Sequence, residues 1–147
     1  MPKTLAESFE DLMVTLPSRP HPIIEGAMRE LFFVGARDTL MTVVKDDTLM
    51  DDLVVEAANE VIRGPEKTRG QGGLIATAFA RFQAYLISGE TRPHIVEVPV
   101  EEIMYFSGAH ALIRYILGEN GPELGRAQTV AQEVETWRQN HMKPTIN

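Results

Sequence analysis

SRPHPIIEGAMRELFFVGARDTLMTVV, residues 18–44, returns later in the chain as TRPHIVEVPVEEIMYFSGAHALIRYIL, residues 91–117. The two stretches align without a gap at a spacing of 73 positions. Arg19, Pro20 and His21 fall opposite Arg92, Pro93 and His94, and Phe33, Gly35 and Ala36 opposite Phe106, Gly108 and Ala109. Leu31/Met104, Phe32/Tyr105, Leu40/Ile113, Val43/Ile116 and Val44/Leu117 are like for like. Self-similarity at a fixed period predicts repeated structural units.

The same spacing extends outward. Leu5, Phe9, Leu12, Met13 and Val14 fall opposite Ala78, Phe82, Tyr85, Leu86 and Ile87, and Ala57, Ala58 and Val61 opposite Val130, Ala131 and Val134. The repeat therefore spans residues 5–62, copied as 78–135, with residues 64–73 (GPEKTRGQGG) as the linker. Two copies are too few for a solenoid. The expectation is one all-α domain over residues 1–147, with about six helices arranged as two pseudo-symmetric three-helix units.

Composition agrees with a folded chain. At 147 residues with 44% hydrophobic and 24% charged content, it can bury a full core. No apolar run approaches the ~20 residues of a membrane span, and no signal peptide is evident. Cysteine is absent, which removes disulfides, thiolate metal sites and cysteine nucleophiles together and suits a reducing cytoplasm. The net charge is −7. Almost all of it sits in residues 46–60, where Asp46, Asp47, Asp51, Asp52, Glu56 and Glu60 occur with no Lys or Arg. A chain without a basic face is not expected to bind nucleic acid.

Local signals place the elements. Thr4 with Glu7 forms a capping box for a helix over residues 4–16, whose stripe is Leu5, Phe9, Leu12, Met13 and Leu16. Pro17, Pro20 and Pro22 force an extended connection. The next helix, to about residue 44, is apolar nearly all round and so belongs in the centre. Gly35 inside it costs about 1 kcal/mol relative to alanine. That cost is tolerable where another backbone must come close, so Gly35-Ala36 is expected to pack against Gly108-Ala109. Lys45-Asp46-Asp47 reads as a turn, and Thr48 with Asp51 as the start of a helix ending at Gly64-Pro65. A helix at about residues 74–88 opens the second unit. HIVEVP, residues 94–99, reads as extended linker despite its alternation. Helices from Pro99 to Leu117 and from about residue 120 to 140 complete the chain.

Candidate chemistry is sparse. Arg19, His21, Arg92 and His94 occur in both repeats and would suit a small anionic ligand or nucleotide. The competing reading has the prolines and histidines capping helices while each Arg pairs with a carboxylate. No HxxxH, HExxH or HxH spacing marks a metal site, and no cofactor is expected. Glu7-x-x-Glu10 matches half of the ExxE/ExxD pattern of helical nucleotide pyrophosphohydrolases, with no second half, so a magnesium-dependent hydrolase is the weakest reading. Asp52, Glu56 and Glu60 lie at i,i+4 spacing on one helix. Like charges there are mildly destabilising, so the face is either solvated or met by something positive. The glycine-rich linker lacks the GxxxxGK[ST] of a phosphate loop, and no serine sits in a GxSxG elbow.

Arg29-x-x-Phe32-Phe33-x-Gly35-Ala36 resembles an RxxFYxGA signature in short helical proteins of bacteriophages and prophages, for which no activity is established. The likeness covers about forty residues in each unit. Glu102 stands at the position of Arg29 in the second copy, and Tyr105-Phe106 replaces Phe-Tyr. The resemblance implies a phage context and a helical hairpin. The leading expectation is thus a non-enzymatic protein-binding protein of phage type, an accessory factor or inhibitor of a host process acting in the host cytoplasm. Its contact face would be Asp51, Asp52, Glu56 and Glu60, its partner a basic protein, and self-association is expected. The alternatives are a ligand binder using the RPH segments and a virion component.

Overall fold

The computed structural model describes residues 3–65, 72–88 and 98–141. Among them are six α-helices and one small hairpin. These are α1 (Leu5–Val14), α2 (Pro22–Val43), strands β1 (Val44–Lys45) and β2 (Thr48–Leu49), α3 (Asp51–Arg63), α4 (Leu74–Ser88), α5 (Val98–Leu117) and α6 (Leu124–His141). The chain is all-α, as expected.

The termini of the helices follow the local chemistry. Thr4 Oγ1 accepts the Glu7 N–H at 3.1 Å while Glu7 Oε1 accepts the Thr4 N–H at 2.9 Å, the reciprocal box that satisfies orphan donors of α1. Pro22 occupies the first turn of α2, where its missing N–H costs nothing. The expected Thr48 cap does not form. Val44–Lys45 instead pairs antiparallel with Thr48–Leu49, and α3 begins at Asp51 with no side-chain cap. The turn between the strands places Asp46 at φ 50° and Asp47 at φ 61°, the two left-handed residues of a type I′ hairpin, which aspartate tolerates. The linker reading of residues 66–71 and of most of HIVEVP falls outside the described residues, while Val98 and Pro99 open α5.

Helices α2 and α5 form the centre. Phe32, Ala36 and Val43 on one, and Tyr105, Ala109, Leu112 and Ile116 on the other, are fully buried. A Cβ built on Gly35 would overlap the Tyr105 carbonyl, and one on Gly108 would overlap the Phe32 carbonyl. As the position on α2 falls by three, its contact on α5 rises by three, so the helices cross antiparallel. The glycines therefore allow the close approach expected of them, with one correction. Each meets the backbone three residues before the opposite glycine, and Gly35-Ala36 does not face Gly108-Ala109 directly.

The flanking helices pack on this pair. Phe9 of α1 meets Phe32 edge-on at 5.4 Å, and Phe79 of α4 meets Tyr105 at 5.1 Å. Leu5 and Phe9 are buried in α1, Ile75 and Phe79 in α4. Their roles correspond at a spacing of 70 positions, whereas the sequence alignment at 73 sets Leu5 opposite Ala78 and Phe9 opposite Phe82.

Candidate functional site

Helix α3 carries the acidic segment, and its packing divides that segment in two. Val54 and Ala57 face the core. Asp51, Asp52 and Glu56 remain exposed on the outer side. Glu60 does not join them. It is only 1% exposed, and its carboxylate accepts the N–H groups of Ile75 and Ala76, each at 2.8 Å. It thereby caps α4, whose positive N-terminal end favours a buried negative charge. Eight residues separate Asp52 from Glu60, and at 3.6 residues per turn that step rotates Glu60 about 80° off the Asp52 direction, toward α4.

In place of Glu60 the outer face holds two apolar side chains. Val55 is 51% exposed and Ile62 79%. With Asn59 they follow i, i+4, i+7, a seam along one side of the helix beside Asp51, Asp52 and Glu56. Helix α6 offers an internal comparison at positions 73 further on. There the counterparts of Val55 and Ile62 are Gln128 and Glu135, and those of Asp52 and Glu56 are Gly125 and Thr129. Glu135 pairs with Arg138 at 2.6 Å, which holds its carboxyl below the usual glutamate range. Helix α6 thus carries polar residues at the two positions that match Val55 and Ile62.

The other candidate residues have structural partners. Arg19 is bidentate to Glu10 at 2.5 and 2.9 Å and reaches Glu25 at 2.6 and 3.1 Å. These hydrogen bonds hold both carboxyls below the usual glutamate range and raise the guanidinium further above its own. His21 Nδ1 accepts the Ile23 N–H at 3.1 Å and caps α2. Arg19 therefore stitches α1 to α2 while His21 caps α2, and the four nitrogen-to-carboxylate bonds of Arg19 leave it poorly disposed to take an added anion. Arg92 and His94 lie outside the described residues. No group of three or more His, Asp or Glu able to hold a metal ion occurs among the described residues. No helix there is long and apolar enough to cross a membrane.

Sequence reasoning missed three features. Glu133 of α6 accepts the Leu5 N–H at 2.8 Å and the Ala6 N–H at 2.9 Å, the same service that Glu60 gives α4. Tyr105 donates from its hydroxyl to Asp38 Oδ2 at 2.6 Å, and burial with that bond pushes the phenol far above its usual range. Trp137 stacks on Phe33 at 5.1 Å beneath a shallow groove edged by Glu10, Arg29 and Gln132. One signal for the α4 cap was available. Gly72-Gly73 precedes α4 without Ser, Thr, Asp or Asn, so an acceptor had to come from elsewhere. Gly73 leaves room for it, because a Cβ there would overlap the Glu60 carboxylate. Comparison with protein-family models, with curated proteins and with solved structures finds no match for this chain.

Proposed function

We propose that this chain is a non-enzymatic protein-binding protein, of the phage accessory or inhibitor kind that its FFxGA segment resembles, and that it docks a basic partner along the outer face of α3. One observation carries this reading. Val55 and Ile62 stand exposed among Asp51, Asp52 and Glu56, while the corresponding side of α6 shows Gln128 and Glu135. The fold does not need apolar residues there, and apolar anchors rimmed by charge are what a docking face uses. The carboxylates, with no Lys or Arg from residue 46 to 60, select a cationic partner and speed its approach. We place this action in the host cytoplasm, with proteins in preference to nucleic acid as partners, since the net charge of −7 opposes a polyanion.

The test is a paired pull-down from bacterial lysate with wild type and with a Val55→Ser/Ile62→Ser variant. Surface changes of this kind alter stability by no more than about 0.5 kcal/mol, so equal melting temperatures are expected. A basic protein retained by wild type in low salt, lost from the variant and weakened by added salt is the expected result. Identical captures from both baits would overturn the proposal. Release of a wild-type dimer into monomer by the variant would make α3 a self-association face instead.

A further inference from the structure

Three sets of contacts and one burial pattern obey one exchange rule. Gly35 abuts the Tyr105 carbonyl and Gly108 abuts the Phe32 carbonyl; moving each α2 residue 73 positions forward and each α5 residue 73 back turns one contact into the other. Glu60 caps Ile75 and Ala76, and Glu133, 73 positions later, caps Leu5 and Ala6, 70 positions earlier. Phe79 meets Tyr105 as Phe9 meets Phe32. Val54, Ala57 and Val43 are buried, and so are their counterparts Ala127, Val130 and Ile116. Reciprocity of this form, in which i touches j and the copy of j touches the copy of i, is the property of an interface between like subunits about a two-fold axis. The glycine contacts and the carboxylate caps all cross between residues 5–63 and residues 74–141. The carboxylate that caps each first helix comes from the other part.

We propose that the chain is a homodimer-type assembly held in one polypeptide, and that the face of α2 around Phe32 and Gly35 is a recognition surface whose fitting partner is a second three-helix unit of the same kind. The spacing changes from 70 to 73 between the first and second helices of each part, since Phe32 lies 23 positions after Phe9 and Tyr105 lies 26 after Phe79.

A polar contact at the crossing that breaks the rule supplies the test. Tyr105 bonds Asp38, whereas the exchanged positions are Phe32 and Ala111. The rule states that Ala111 faces position 32 as Asp38 faces position 105. In the full chain, Phe32→Tyr alone places a hydroxyl at a fully buried position and is expected to lower the melting temperature. Adding Ala111→Asp is expected to restore it toward wild type by rebuilding the bond in the other half. A double variant that melts below Phe32→Tyr overturns the proposal. A second measurement holds even if the tyrosine variant does not fold. With a protease site inserted after Thr68, the cut chain is expected to elute as one species with its helical circular dichroism unchanged, and Gly35→Leu is expected to part the two pieces. Wild-type pieces that separate after cutting, folded or unfolded, overturn it.

Discussion

The long helices α2 and α5 cross alike and end differently. Helix α2 runs into the Asp46-Asp47 hairpin, where Met50 N–H returns to the Val43 carbonyl at 2.7 Å. Helix α5 stops at Gly118, in the left-handed region at φ 53°, and Arg126 of α6 donates to the carbonyls of Ile116, Leu117 and Gly121 at 3.0, 2.9 and 2.6 Å. One end is satisfied by backbone pairing and the other by a single guanidinium. The outer helices differ in the same spirit, with α3 acidic and apolar on its exterior and α6 polar. The centre tolerates little because two backbones are in contact there. The perimeter needs only some donor or acceptor, and many residues can supply one.

That contrast can be broken most forcefully at the crossing. Gly35→Leu and Gly108→Leu should each cost at least about 3 kcal/mol, since the added side chain meets backbone that cannot rotate away. Urea denaturation of both variants is the measurement, and a Gly108→Leu protein near wild-type stability would show that the two sides of the crossing are not equivalent. The caps should differ by a smaller margin. Glu60 is buried and Glu133 half-buried, so Glu60→Ala should cost about 2–3 kcal/mol and Glu133→Ala about 1 kcal/mol. Equal losses would mean that water relieves neither site.

The smallest effect is at the Arg19 corner, which the described residues show only in the first half. Glu10 and Glu25 have carboxyls held below the usual range by Arg19, so their folded values lie under their unfolded ones. The stabilisation is therefore complete above the unfolded glutamate value of about 4.3 and is lost as pH falls through the lower folded values. Melting temperatures of wild type and Arg19→Met should differ at neutral pH and converge in acid. Parallel curves down through that range would remove the ion pairs from the account of stability.

Much of the fold was legible in the residues. The Thr4/Glu7 box, the proline-bounded start of α2 and the all-round apolar character of both central helices were strong local signals. Gly35 and Gly108 announced a close approach, although not which carbonyl each would meet. The register of the first helices was not legible. Phe79 and Phe82 are three apart on α4 and both touch Tyr105, so a helical pattern accepts either as the match for Phe9, and only the burial of Ile75 and Phe79 and the Glu60 cap decide. Helical spacing misled for Glu60 for a related reason, because i,i+4 steps drift around the helix and after two of them a carboxylate can turn inward. The hairpin hid because Asp-Asp is a weaker turn signal than Asn-Gly. The apolar residues on α3 became informative only beside α6, where the residues 73 positions further on are polar.

The cap that Glu133 places on Leu5 joins residues 128 positions apart. A ribosome makes α1 well before its acceptor in α6. While α2 and α3 emerge, Phe9 and Phe32 can pack on each other, but Gly35 lacks the Tyr105 backbone that covers it, so local folding leaves that side of α2 open. This order of synthesis delays the chain's commitment to its native state until α6 has been made, and leaves the nascent first half with apolar surface still to be covered. Hydrogen exchange pulsed during refolding would show it, with the Leu5 and Ala6 amides gaining protection no earlier than those of α6.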